Sequence, residues 1–193
     1  MRKKSHISLS RGIIHGLEDG KISHKLTFCL ASIWPDCTPS FLVQRHCIDD
    51  TFELFQKKMD RFIKRFKAKK NIGLVSTFRM GVITHYLADY FTFPHNSHYE
   101  GGFKEHCIYE EELKHRMYSY IRKVKNGEYD KIPQIMTNVK QVNQYVQKKH
   151  NSYMELEGNT LQDCDYSFTA CLNVVASLIQ IAQNKNQEHV YAY

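Results

Sequence analysis

The segment "GVITHYLADYFTFPHN", residues 81–96, puts His85 and Asp89 one helical turn apart and His95 just beyond them, in otherwise apolar surroundings. Burying an imidazole and a carboxylate is costly unless something satisfies both. A hydrogen-bonded core pair would do so, and so would a metal ion. Four His-to-carboxylate pairs share the i, i+4 spacing: His15–Asp19, His46–Asp50, His85–Asp89 and His106–Glu110. With acids at about one residue in ten, about one such pair is expected by chance. The pair His15–Asp19 falls at a charged helix end and reads as incidental. His85 and Asp89 lie among Val82, Ile83, Leu87 and Phe91, whereas His106 and Glu110 lie beside Ile108, Tyr109 and Leu113. Zinc takes imidazole nitrogen and carboxylate oxygen, and an i, i+4 pair offers one ion two donors from a rigid helix. Nearby turns hold Asp36, His46 and His95, so two such pairs facing each other would make a multi-metal cavity inside a helical bundle.

The elements that must position these groups read as helices. Apolar residues recur at three- and four-residue intervals over 5–18, 21–33, 45–70, 72–92, 103–126, 132–155 and 162–184. In the third of these, Ile48, Phe52, Phe55, Met59, Phe62, Ile63 and Phe66 form one stripe, with lysines and arginines on the opposite face. The basic cluster 64–70 reads as part of that solvated face. No alternating strand pattern appears, and the four prolines, at 35, 39, 94 and 133, fall in loops or at a helix start. The expectation is an all-α, single-domain bundle of about seven helices over residues 1–193, with a central metal cluster.

Composition narrows the function. No run approaches the roughly 20 apolar residues of a membrane span, and the start "MRKKSHISLSRGIIHGL" lacks an export signal's apolar region, so a cytoplasmic location is expected. The six cysteines form no CxxC pair and are expected to be reduced thiols. A net charge of +7 favours anionic partners: phosphate groups, nucleic acid or transient contact with an acidic membrane surface.

Four pieces, in order, resemble the zinc-dependent phospholipase C family, which is related to the single-strand-specific zinc nucleases. They are "KSHISL", "SIWPDCTPSF" followed by "RHC", "HYLADYFTFPH" and "GFKEHCIYE". The resemblance covers residues 5 to about 112, and beyond that the chain is similar only in being helical. It implies that Asp36, His46, His85 and Asp89 hold one zinc, and that His95, His106 and Glu110 hold a second. Asp89 would bridge to a third ion, with His6 as its other side-chain ligand. Secreted members complete that third site with the amine and carbonyl of a mature N-terminal Trp. Here Met1 stands first, its amine being the available substitute, and the expected cofactor is two or three zinc ions.

The implied activity is phosphodiester hydrolysis by a metal-activated water, of phospholipase C type, with Asp36 and Asp89 as the catalytic carboxylates. Without an export signal such an enzyme would meet the inner membrane leaflet or soluble phosphodiesters. The alternatives are a single-strand nuclease and a non-catalytic, metal-stabilised module for an anionic ligand. The nuclease would stack a base on Phe91, Phe93, Tyr99 and Phe103. Trp34 and Tyr109 read as wall residues, Glu111 and Glu112 as a continued helix face, and His24, His98, His115 and His150 as structural or surface groups. Asp49 and Asp50 are candidate acceptors for orienting the His46 ring.

Overall fold

The computed structural model describes residues 1–17, 21–38, 45–66, 72–129 and 132–190, with side chains as far as 184. These residues form seven α-helices and no strand: α1 (Lys3–Gly16), α2 (Lys25–Ala31), α3 (Ile48–Arg65), α4 (Leu74–Tyr90), α5 (Phe103–Lys125), α6 (Val139–Met154) and α7 (Thr160–Val190). Each falls within or close to a segment expected from the periodicity, and the boundaries differ for local reasons. The third helix ends at Arg65, and residues 67–70 of the basic cluster lie outside the described residues. The sixth starts at Val139, seven residues later than expected from 132, where the Asn138 side chain accepts the Gln141 N–H and caps it.

Helix α4 is the axis. It packs against α1, α2, α3 and α7, and every residue from Met80 to Tyr90 is buried. That explains why its sequence is apolar on all sides and carries no solvated face. By contrast, α3 buries one stripe, Thr51, Phe55, Met59, Phe62 and Ile63, and leaves its basic face outside. Burying each large apolar side chain contributes about 1.5–3 kcal/mol. Lengthwise, α1 lies along α5, where Gly12 lets the Ile121 and Phe168 side chains come close.

Helix α7 departs from the expectation that nothing is long and apolar enough to span a membrane. Thr160–Asn184 passes that test by length and composition, yet 72% of its most apolar window is buried inside the molecule. Phe168, Cys171, Val175 and Leu178 are fully covered, as in the core helix of a bundle. The six cysteines are free thiols.

Gly81 sets how closely α2 approaches α4. A Cβ added there would come within 2.6 Å of both the Phe28 carbonyl oxygen and the Ala31 Cβ, so a backbone must yield. Gly81→Ala should therefore lower stability by about 1–3 kcal/mol, as for other overpacked cores. A urea unfolding curve with unchanged slope and a shifted midpoint will measure it.

Candidate metal centre

Two turns, three helices and the segment that leads into α3 bring the donors together. Asp36 sits in a single 3-10 turn, Pro35–Cys37, and His95 in another, Phe93–His95. Both carry proline in their first positions, where its fixed φ suits the turn. His85 and Asp89 come from α4, His106 and Glu110 from α5, and His6 from α1. His46 immediately precedes Cys47, the N-cap residue of α3. It therefore shares no helix face with Asp50, and the reading of that pair as i, i+4 helix neighbours is corrected. Asp49 and Asp50 are exposed in the first turn of α3, while the His46 ring turns toward Asp36, His85 and Asp89. Asp19 lies outside the described residues.

The first group is Asp36, His46, His85 and Asp89, whose donor atoms lie within 4.8 Å of one another. His46 Nδ1 is 2.9 Å from His85 Nε2, 3.2 Å from Asp89 Oδ2 and 3.7 Å from Asp36 Oδ1. On its other side the His85 ring is fixed by the chain itself, with Nδ1 2.9 Å from the Ser32 carbonyl oxygen. A carbonyl can only accept, so Nδ1 carries the proton and Nε2 presents its lone pair to the cluster. The second group is His95, His106 and Glu110. Glu110 Oε1 lies 3.3 Å from both His95 Nε2 and His106 Nε2, and the two rings are 5.6 Å apart.

Asp89 joins the groups. Its Oδ2 faces His46, His85 and His95, while Oδ1 is 2.9 Å from the Met1 α-amine and 3.3 Å from His6 Nε2. The Met1 amine also lies 3.0 Å from Glu110 Oε1 and 2.8 Å from His95 Nε2, a positive charge held by three potential metal donors. Burial lowers the affinity of this amine for its proton, but Asp89, Glu110 and Asp36 more than offset that and raise its pKa to about 10. Burial alone would also raise the Asp89 carboxyl. The Met1 ammonium and the rings of His95, His85 and His6 overcome it and hold the group well below the usual range. Burial pushes His85 and His95 down, and burial together with the Asp89 charge pushes Asp36 up.

The donor set fits a cation. Both ring nitrogens of His6 are buried without a hydrogen bond, although Nε2 lies beside Asp89 and 4.0 Å from Asp36 Oδ2. An imidazole stacked 4.3 Å from His85 and aimed at two carboxylates without a bond has the form of a ligand. A cleft of about 670 Å³ opens onto these groups, lined by Met1, Asp36, His46, His95, His106 and Glu110, with basic residues at its rim.

Several expected neighbours do not reach the cleft. Phe91 is buried against Tyr153 and Tyr166, and Phe93 packs on His98, Tyr99 and Tyr109. Phe103 is 86% exposed, and Trp34 is half exposed against Phe78. Tyr99 stands edge-on to the His106 ring, with 6.1 Å between centroids, but none of the four residues expected to stack a base lines the cleft. Glu111 accepts hydrogen bonds from Arg2 and Lys114, and lies 3.2 Å from His115. Arg2 also donates to the Cys107 carbonyl, so Glu111 clasps the N-terminal segment to α5 rather than merely continuing a helix face.

Asp163 escaped the sequence reading. Fully buried on α7, it accepts the Phe93 N–H at 3.0 Å, the Tyr109 hydroxyl at 3.0 Å and the Tyr153 hydroxyl at 2.6 Å. It thus fixes the turn that aims His95. Burial raises its pKa to about 6. Nearby, Asn96 donates to the Tyr90 and Thr92 carbonyls and meets His150 Nε2 at 2.8 Å, locking the end of α4 to α6. An acid in the first turn of an otherwise largely uncharged helix, with Asp165 two residues on, was the one available signal for Asp163.

The sequence profile of the zinc-dependent phospholipase C family matches residues 5–160, and the chain belongs to that family. The match continues past residue 112, through α6 to the start of α7, which the motif resemblance left as merely helical. No curated protein and no solved structure matches the chain.

In the metal-free protein, acid should remove stability in two stages. His85 and His95 have lowered pKa values, so the unfolded chain takes up protons that the fold refuses as pH falls below about 6.5. The depressed carboxyls of Asp89 and Glu110 contribute stability above their unfolded pKa, and it is lost on acidification below about 4.5. Asp163, raised to about 6, acts oppositely between that pH and its unfolded value. Melting temperatures at about pH 7.5, 5.5 and 3.5 should fall overall. The last step should be smaller in Glu110→Gln than in the wild type.

Proposed function

We propose that this member of the zinc-dependent phospholipase C family is a phosphodiester hydrolase of phospholipase C type, carrying two or three zinc ions. The observation that carries the reading is the convergence of His6, Asp36, His46, His85, Asp89, His95, His106 and Glu110 on one cleft. Asp36, His46, His85 and Asp89 would hold one ion, and His95, His106 and Glu110 a second. Asp89 Oδ1 and His6, with the Met1 amine after loss of its proton, would hold a third. Bound zinc supplies Lewis-acid polarisation of a phosphoryl oxygen and a water acidic enough to act as nucleophile near neutral pH.

The chain's own part is positioning and charge. The Ser32 carbonyl keeps the proton on His85 Nδ1, so Nε2 stays free to donate electrons. The Asp36 carboxylate, which lines the cleft, can take a hydrogen bond from an attacking water and orient it toward phosphorus, while the buried Asp89 carboxylate faces the same donors and would balance the charge of bound zinc. The open cleft lets a phosphodiester reach Asp36, His46, His95, His106 and Glu110 from solvent. A cleft with no Phe, Tyr or Trp among its described lining residues offers little to a stacked base, which favours the phospholipase reading over the nuclease reading.

Metal analysis of protein purified in zinc, alongside hydrolysis of a chromogenic phosphodiester, tests this. Asp89→Asn should lose at least one metal equivalent and about a hundredfold or more in turnover. Glu111→Gln, which leaves every donor in place, should keep its metal content. Equal metal loss in the two variants would contradict the ligand assignment, and a wild type without zinc would end the enzyme reading.

A further inference from the structure

The rim of the cleft is unusually one-sided in charge. Arg2, Lys3, Lys4, Arg45 and Lys114 line it. Its carboxylates, Asp36 and Glu110, are turned to the histidines and the Met1 amine. Arg2 and Lys114 share Glu111. Lys3, Lys4 and Arg45 are exposed, and none of them pairs with a carboxylate among the described residues.

A solvated basic face is the ordinary reading of exposed lysines, but two observations weigh against it here. These three cations line a concave site beside the metal donors rather than a convex surface. Lys3 and Lys4 also occupy the first turn of α1, which has no acidic residue. Cations at a helix N-terminus oppose the macrodipole, so their placement works against helix stability. The partial positive charge of the helix end adds to the same field.

Resting on the hydrolase reading above, we infer that the cleft selects phosphodiesters carrying a further anionic group beside the scissile phosphate, as in an anionic phospholipid headgroup bearing an added phosphate. A choline headgroup, whose quaternary ammonium is recognised by aromatic faces, meets instead a cationic rim without Phe, Tyr or Trp among its described lining residues. A single-stranded nucleic acid would also satisfy the charge. It would normally use aromatic platforms as well, and none of Phe91, Phe93, Tyr99 and Phe103 lines the cleft.

The test compares zinc-loaded wild type with the triple variant Lys3→Gln/Lys4→Gln/Arg45→Gln, using melting temperature as the folding control. Calorimetry with glycerophosphoinositol phosphate and with glycerophosphocholine reads binding. The wild type should prefer the anionic probe by about tenfold or more, with the preference shrinking as salt shortens the screening length. In the triple variant the preference should fall to within about threefold. Equal or tighter binding of glycerophosphocholine overturns the inference, as does a preference that survives the triple substitution. Tighter binding of a short single-stranded oligonucleotide overturns it in favour of nucleic acid. Turnover is followed separately, on phosphatidylinositol phosphate in phosphatidylcholine vesicles and on the soluble glycerol ester. Cleavage of either supports the shared chemistry and tells bilayer from free substrate. If the anionic probe is preferred but nothing is cleaved, the hydrolase reading falls while the anion-selective cleft stands.

Discussion

A carboxylate with no exposure to water sits at the middle of this protein. Asp89 stays ionised inside an apolar helix because positive or polarisable partners surround it: the Met1 amine at 2.9 Å, His46 at 3.2 Å, and His6 and His85 at 3.3 Å. Breaking up a buried ion cluster by removing one partner is far more disruptive than removing a surface pair. The rest of the fold can be read as the set of constraints that deliver those partners. Helix α4 must be covered on all sides, α2 must lie close enough for the Ser32 carbonyl to reach His85, and α1 must dock with its first turn over the cluster.

Rigidity at the site is supplied from two depths. Donors on α4 and α5 inherit fixed positions from helices that are locked into the core. Donors on turns need local devices, and both turns have them. Proline restricts Pro35–Cys37 and Phe93–His95, and the second is also gripped by Asp163 and bounded by the bonds among Asn96, Tyr90 and His150. Asp163, Asn96, Tyr90 and His150 thus hold the turn of His95 from behind, and none of them lines the cleft.

The helices were legible because their apolar spacing is strong, and their ends were less so because caps and turns are set by single residues such as Asn138. The stripe on α3 appears as read, whereas the apolar content of α7 was underestimated because its few polar residues, Asp163 and Asn173 among them, are buried with specific partners. Most of the candidate donors could be named from residue type and motif, and the structure brings them together. What spacing could not convey was orientation. His46 reads as an i, i+4 partner of Asp50 on paper, yet it precedes the helix and faces another segment. The backbone carbonyl of Ser32 has no sequence signature at all. The aromatic residues after α4 looked like a stacking pocket because their types suit one, but Phe91 packs on Tyr153 and Tyr166 and Phe93 on His98, Tyr99 and Tyr109, away from the cleft lining.

The clasp between Arg2 and Glu111 joins positions 109 residues apart in the chain, and the donors themselves run from His6 to Glu110. The group of His95, His106 and Glu110 comes from one turn and the helix that follows it, whereas Asp36, His46, His85 and Asp89 come from three separate segments, so the latter set is complete only once α4 has packed against its neighbours. The converse concerns release. Of the proposed ions, the one shared by His6, Asp89 and the Met1 amine would depart readily only when α1 lifts away, and its exchange with a chelator would be timed by the opening of that helix rather than by the strength of any single bond.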